Sequence, residues 1–244
     1  MNSKIICLTS IVSFFLMSCA STDKSSENIP NYTYGENSGG SRIDLKFDKG
    51  KAHNYPLLAI WLADENGKFI QTLYVSESIG KGVFRRASRD SGKWLIGEIQ
   101  RPAALPYWTH ERNIRNETGT LLPTPQKPVI DAHTGATPIA SFDMTLFTKE
   151  KLQGRYKLYL EVNQSWDWNK YWTNNKFPDN KEYKTSSQPA LVYMAEFDSN
   201  ESKTIELMPI GHSHYAGENG ELYTDLSTLT TAMNIAKKIT ISVK

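Results

Sequence analysis

The chain has 244 residues, 39% of them hydrophobic and 22% charged, and its 28 Lys and Arg stand against 26 Asp and Glu for a net charge of +2. So even a balance, with no run of five or more bases, argues against an electrostatic phosphate-binding surface, and no nucleic-acid partner is expected. The only cysteines are Cys7 and Cys19, both near the N-terminus, which leaves the rest of the chain without a thiol for a disulfide, a zinc-thiolate site or a nucleophile.

Lys4 precedes an uncharged, largely apolar run from Ile5 to Leu16, and Leu16-Met17-Ser18-Cys19 closes it. An apolar core of roughly 12 residues is shorter than the ~20 that span a bilayer as a helix, so a cleaved export signal over residues 1–18 is expected rather than a transmembrane anchor. The small residue followed by cysteine reads as a lipobox, with lipid on Cys19 as the membrane anchor; the alternative is an ordinary signal with an incidental cysteine. Acyl chains contribute about 0.8 kcal/mol per buried methylene, and a lipoprotein carries more than one chain, so such attachment is stable. The expected location is the bacterial cell envelope, with the domain in the periplasm or at the cell surface. Ala20 after Cys19 carries no inner-membrane retention signal, so the outer membrane is preferred.

Residues 19–40 are rich in Ser, Thr, Asn, Gly and charged side chains and read as a disordered tether, followed by a single domain over residues 41–244. Ile43, Leu45 and Phe47 alternate with Arg42, Asp44 and Lys46 as in a one-faced strand. Tyr55 to Ala63 is apolar on both faces, as in a central strand, and Asn66-Gly67 predicts a hairpin returning through Phe69 to Val75. Trp94 to Gly97 suggests a short strand. Arg101 to Pro128 holds five of the 11 prolines without a clear period and reads as a long loop. In Arg155 to Val162, Tyr156, Leu158, Leu160 and Val162 face one way and Arg155, Lys157, Tyr159 and Glu161 the other. Leu191 to Phe197 and Thr204 to Met208 read as two further strands. Leu226, Leu229 and Met233 are spaced for a short helix from Asp225, and Ile239, Ile241 and Val243 alternate to the end. The expected fold is an all-β, immunoglobulin-like antiparallel β-sandwich with a long Pro-rich loop and one short helix.

Four stretches resemble a known family: Pro56 to Leu73, Asp131 to Thr137, Gly154 to Val162 and Gly220 to Leu226. Together they look like the exported bacterial proteins grouped as domain of unknown function 2271, which are similar in strand motifs to the immunoglobulin-like part of flagellar hook-capping proteins. The resemblance implies a β-sandwich and no established activity. Lipid tethering argues against a flagellar role, because a tethered protein cannot pass through a flagellar export channel.

Asp131-Ala132-His133-Thr134-Gly135-Ala136-Thr137 also resembles the Asp-x-x-Ser/Thr-Gly-Ala-Thr sequence of exported proteins that carry covalent flavin mononucleotide (FMN). By that resemblance Thr137 is the attachment residue, Asp131, Thr134, Gly135 and Ala136 are recognition residues, a separate flavin transferase makes the bond, and a membrane reductase is the electron partner. Pro138 departs from the apolar residue usual there. A threonine hydroxyl is a poor nucleophile unaided, which is why an external enzyme is required. The competing reading is structural, with Asp131 capping a turn that Thr134 and Gly135 shape and Pro138 ends.

His212-Ser213-His214 places two imidazoles at alternate positions, where they can share a metal with Asp131, His133 or Glu218, or serve simply as exposed loop residues. Trp166, Trp168, Tyr171 and Trp172 form an aromatic cluster suited to ring stacking or to packing. No nucleophile elbow, zincin, phosphate-loop or dinucleotide motif occurs. The leading expectation is a lipid-anchored binding or accessory module without its own catalysis; the alternatives are an extracytoplasmic FMN carrier and a metal-binding accessory protein.

Overall fold

A computed structural model describes residues 29–36, 39–129 and 133–244. The signal segment, Cys19 and Asp131 lie outside the described residues. The fold is an all-β sandwich built from strands whose alternation is plain in the sequence. In β2 (Arg42–Lys49) Ile43, Leu45 and Phe47 are buried while Arg42 and Lys46 are exposed. In β8 (Phe142–Phe147) and β13 (Ala236–Val243), Phe142, Met144, Leu146, Ile239, Ile241 and Val243 turn the same way. With β1 (Asn31–Tyr34) and β11 (Thr204–Glu206) at the edges, they form a five-stranded sheet in the order β1-β8-β2-β13-β11.

The facing sheet has six strands. Its order is β12 (Met208–His212), β10 (Leu191–Asp198), β9 (Arg155–Asn163), β3 (Leu57–Asp64), β4 (Phe69–Ser76) and β7 (His133–Gly135). The main core lies between the sheets, where Leu58, Ile60 and Leu62 of β3, Leu158, Leu160 and Val162 of β9 and Leu191 and Tyr193 of β10 meet the first sheet's inner face. Each sheet departs from the antiparallel expectation at one edge, since β1 runs parallel to β8 and β7 parallel to β4. The β1 pairing also draws residues 31–34, read from sequence as tether, into the first sheet.

Two hairpins follow their turn chemistry. Between β3 and β4 the chain turns through Glu65, Asn66 and Gly67, with Gly67 at φ 89° and the Asp64 carboxylate accepting the Asn66 and Lys68 amides, each at 2.9 Å. Between β5 (Val83–Asp90) and β6 (Lys93–Glu98), Ser91 and Gly92 both take positive φ, 48° and 83°. Two successive left-handed residues give the turn whose twist matches the paired strands.

The segment read as a long loop is instead a second packing layer. Within it α2 (Pro106–Arg112) starts on a proline at its first position and stops at Asn113, whose φ is 51°. Ala104, Leu105 and Trp108 join Ile79, Phe84 and Val129 over the outer face of the six-stranded sheet, against Ala59, Trp61, Ala63 and Val192. This explains why β3 is apolar on both faces. It also corrects the one-faced reading of β9: beyond Lys157 its outer residues Tyr159 and Glu161 are buried under the layer.

Three short helices, α1 (Glu77–Lys81), α2 and α3 (Tyr183–Ser186), stand where one was expected. The helix expected from Asp225 reduces to a 3-10 turn, Ala232–Asn234. The run Ser227-Thr228-Leu229-Thr230-Thr231 is rich in β-branched residues, which lose side-chain freedom in a helix. Its hydroxyls are also taken by distant partners: Thr228 accepts from the Trp172 indole and Thr231 donates to Asp167. The expected strand Thr204 to Met208 breaks at Leu207, which is buried where the chain crosses from the first sheet to the second.

Candidate functional site

The described part of the Asp131 to Thr137 stretch, residues 133–137, lies at the β7 edge of the six-stranded sheet. His133, Thr134 and Gly135 pair with Tyr74, Val75 and Ser76, so these three residues form an edge strand, while Asp131, the cap in the turn reading, lies outside the described residues. Gly135 is demanded by proximity rather than by torsion: a Cβ there would overlap the Tyr34 hydroxyl and lie 3.3 Å from Tyr74 Cε2. The Tyr74 hydroxyl donates to the Gly135 carbonyl at 3.1 Å. Tyr34 lies 5.2 Å from Tyr74 and stacks on His133 at 5.9 Å between centroids. Burial raises both tyrosine pKa values, so neither is a base near neutral pH, and burial lowers that of His133.

Ala136 is exposed and Thr137 half-exposed beyond the strand end. The Thr137 hydroxyl donates to Ser76 Oγ at 3.4 Å, and Ser76 Oγ itself accepts the Leu58 amide at 2.9 Å. Among the described residues the Thr137 hydroxyl is thus bonded to another hydroxyl rather than to a base. Thr134 points instead toward α1, where its methyl would meet a Cβ added at Gly80. Pro138 is buried and its carbonyl accepts from His53 Nε2 at 3.0 Å. The residues present fit an acceptor of an FMN phosphate in one respect: Thr137 is partly accessible, just beyond the end of β7. A bound flavin would supply redox chemistry, while this chain would hold its phosphate on Thr137.

His212 and His214 lie at the opposite end of that sheet. Five strand steps separate β12 from β7, about 24 Å at the usual spacing of ~4.8 Å, so His133 is remote from them. His212 donates from Nδ1 to the Ser213 carbonyl at 2.8 Å and stacks on Tyr223 at 5.4 Å. His214 Nδ1 accepts the amides of Ala216 and Glu218, each at 3.3 Å. Burial lowers the His212 pKa. Among the described residues no three His, Cys, Asp or Glu side chains gather as metal ligands.

The residue between them carries a role that the sequence reading missed. Ser213 is buried, donates to the Ala190 carbonyl at 3.4 Å, and meets the Glu161 carboxyl. Glu161, 0% exposed on β9, accepts the amides of Trp108 (2.8 Å) and Tyr107 (3.2 Å). It thereby caps α2, whose own cap residue, Leu105, has no side-chain acceptor. Burial pushes the Glu161 pKa up to about 8 against the pull of those donors. The sequence signal was a carboxylate inside the strand run Leu158 to Val162.

The aromatic cluster divides in two. Trp172 is buried among Tyr183, Tyr215 and His212 and is core. Trp166, Trp168 and Tyr171 remain exposed; Lys176 sits 3.3 Å above the Tyr171 ring, and Trp94 on β6 reaches Trp166 at 6.1 Å. Between these rings Asp167 is tucked inward. Its Oδ1 accepts the Thr231 hydroxyl at 2.5 Å, Oδ2 has no partner among the described residues, and burial raises its pKa. Trp166 and Ser187, either side of the Asp167–Ser187 bridge, take positive φ of 59° and 72°, so this loop holds strained backbone.

A cavity of about 380 Å³ opens in the Pro-rich layer, lined by Arg112, Ile114, Arg115, Leu122, Pro123 and Lys127 among others. Arg115 and Lys127 are committed to backbone carbonyls, those of Gly119 and Arg115, each at 2.6 Å. No helix among the described residues is long and apolar enough to cross a membrane. No family model, curated protein or solved structure matches the chain.

Proposed function

We propose that the chain is a lipid-anchored β-sandwich of the bacterial cell envelope, held through Cys19 and preferring the outer membrane, that works as a binding or accessory module without catalysis of its own. The observation carrying this reading is the exposed aromatic surface shared by β6 and the loop after β9, where Trp94, Trp166, Trp168 and Tyr171 keep between 38% and 51% of their surface in solvent. Large rings left in water mark a recognition surface, since they gain most from being covered. The buried titratable groups serve the fold instead: Glu161 caps α2, and Asp167 ties the loop to Thr231. Kinship with the exported family of domain of unknown function 2271 belongs to the same proposal and suits a β-sandwich. Membrane fractionation of wild type and Cys19→Ala tests the anchor: the variant is expected in the soluble fraction, and identical partition of the two refutes lipid attachment.

A second reading, FMN joined to Thr137 by a flavin transferase, is favoured by one observation. Thr137 sits just past an edge strand, partly exposed, and among the described residues its hydrogen-bond partner is Ser76 Oγ rather than a base, as suits a hydroxyl modified by an external enzyme. Co-expression with a flavin transferase should add the mass of the flavin phosphate and in-gel fluorescence to wild type, and Thr137→Val should lose both. An unlabelled wild type under conditions that label a known carrier refutes it.

A further inference from the structure

The β5–β6 hairpin forms its own two-stranded sheet, separate from both layers of the sandwich. Its register places Arg89 opposite Trp94, Ser88 opposite Leu95 and Asp90 opposite Lys93. Strand alternation then puts Trp94 and Ile96 on one face with Arg89, and Leu95 on the other with Ser88 and Lys93. Neither face is fully covered in its outer half: Trp94, though it meets Trp166 at 6.1 Å between centroids, is 45% exposed, Leu95 45% and Ile96 72%. Three consecutive apolar side chains in water on both sides of an unpaired ribbon are an aggregation hazard unless something covers them.

The charges say what covers them. Arg85, Arg86, Arg89 and Lys93 are all exposed, and none joins an ion pair among the described residues. Only Asp90 and Glu98 oppose them on these two strands. Indole rings settle at the headgroup level of a bilayer, and guanidinium and ammonium groups pair with lipid phosphates there. A protein partner lays itself against one face of a ribbon, whereas a headgroup layer surrounds both, which fits apolar residues distributed over the two faces.

We propose that the β5–β6 arm docks the domain on an anionic phospholipid surface, with Trp94, Leu95 and Ile96 entering the boundary between headgroups and acyl chains and Arg85, Arg86, Arg89 and Lys93 on the phosphates. The contact rests on the arm alone and is independent of whether Cys19 is acylated. Each cation near an anionic surface strengthens attachment by about fivefold, an effect that salt screens within roughly 10 Å.

The test uses the full chain reconstituted into vesicles of brominated phosphatidylcholine, with and without phosphatidylglycerol. Tryptophan emission of wild type minus that of Trp94→Phe isolates Trp94. That difference should be quenched in the phosphatidylglycerol vesicles, restored at high salt, and unquenched in phosphatidylcholine alone. Arg85→Glu combined with Arg86→Glu should abolish the quenching, and Ile96→Ser, which retains Trp94, should reduce it, with circular dichroism melts checking that each variant is folded. Trp94 left unquenched in anionic vesicles, or quenched equally without phosphatidylglycerol, overturns the proposal. Flotation with phosphatidylcholine vesicles alone, where the arm does not dock, reports N-terminal anchoring separately.

Discussion

Glu161 offers a direct test of how the second layer is held down. Its pKa is pushed to about 8 in the fold, well above the ordinary glutamate value of 4.5. A raised carboxyl pKa means that the folded state binds the proton more tightly than the unfolded state. The associated stability is therefore fully present below about pH 4.5 and is lost as pH climbs through about 8. Each pKa unit corresponds to about 1.4 kcal/mol, so the shift sets an upper bound of about 5 kcal/mol on the loss across that window. One carboxyl oxygen, Oε1, accepts the Tyr107 amide and the other, Oε2, that of Trp108, while Ser213 Oγ donates to the Ala190 carbonyl; in the neutral form the acid hydroxyl still accepts an amide through its remaining lone pair. Glutamine cannot reproduce that pattern, because its side-chain NH2 has no lone pair to offer and one of the two helix amides loses its acceptor. Glu161→Gln should thus be less stable than wild type by about 1–3 kcal/mol at pH 5, with a gap that narrows toward pH 9 because only wild type loses stability as the carboxyl ionises. Urea unfolding followed by tryptophan fluorescence at several pH values measures both. Parallel pH profiles for the two proteins would refute the claim that Glu161 titrates under the α2 cap.

Gly135→Ala forces a methyl group onto the Tyr34 hydroxyl, and overpacking of this kind costs about 1–3 kcal/mol; adding Tyr34→Phe removes the clashing oxygen and should recover much of the melting temperature. If the second change does not rescue the first, the close approach is not what requires glycine. Trp108→Ala removes a wholly buried ring, whose indole donates to Thr72 Oγ1 at 3.0 Å, and should destabilise the domain by about 3–5 kcal/mol in chemical denaturation, whereas Trp168→Ala on the exposed surface should change stability by less than about 0.5 kcal/mol. Equal losses in the two variants would contradict the burial of the Pro-rich layer.

Strand identity was legible from local pattern because alternation is a property of the backbone: Ile43, Leu45 and Phe47, or Ile239, Ile241 and Val243, must share a face wherever the strand sits. The Asn66-Gly67 hairpin was legible for a similar reason, since the left-handed conformation at Gly67 is available to glycine without steric cost. The candidate site was only partly so. The order of residues in Asp131 to Thr137 said nothing of the β4 edge, and a turn and an edge strand make similar local demands on Thr and Gly. What required glycine at position 135 was the ring of Tyr34, a hundred residues earlier in the chain. Likewise the wide spacing of prolines concealed a packing layer, because the acceptor that caps α2 comes from β9 and not from α2's own neighbourhood. Sequence by itself determined most of the core strands, their inner faces and the sandwich class, set by interactions along a few consecutive residues, while β1, β5, β7 and β8 went unread. Tertiary structure alone decided that β9 is buried on both sides, that His133 and His212 lie at opposite sheet edges, and that Trp94 is exposed while Trp108 is not, because each depends on which distant surface meets the strand.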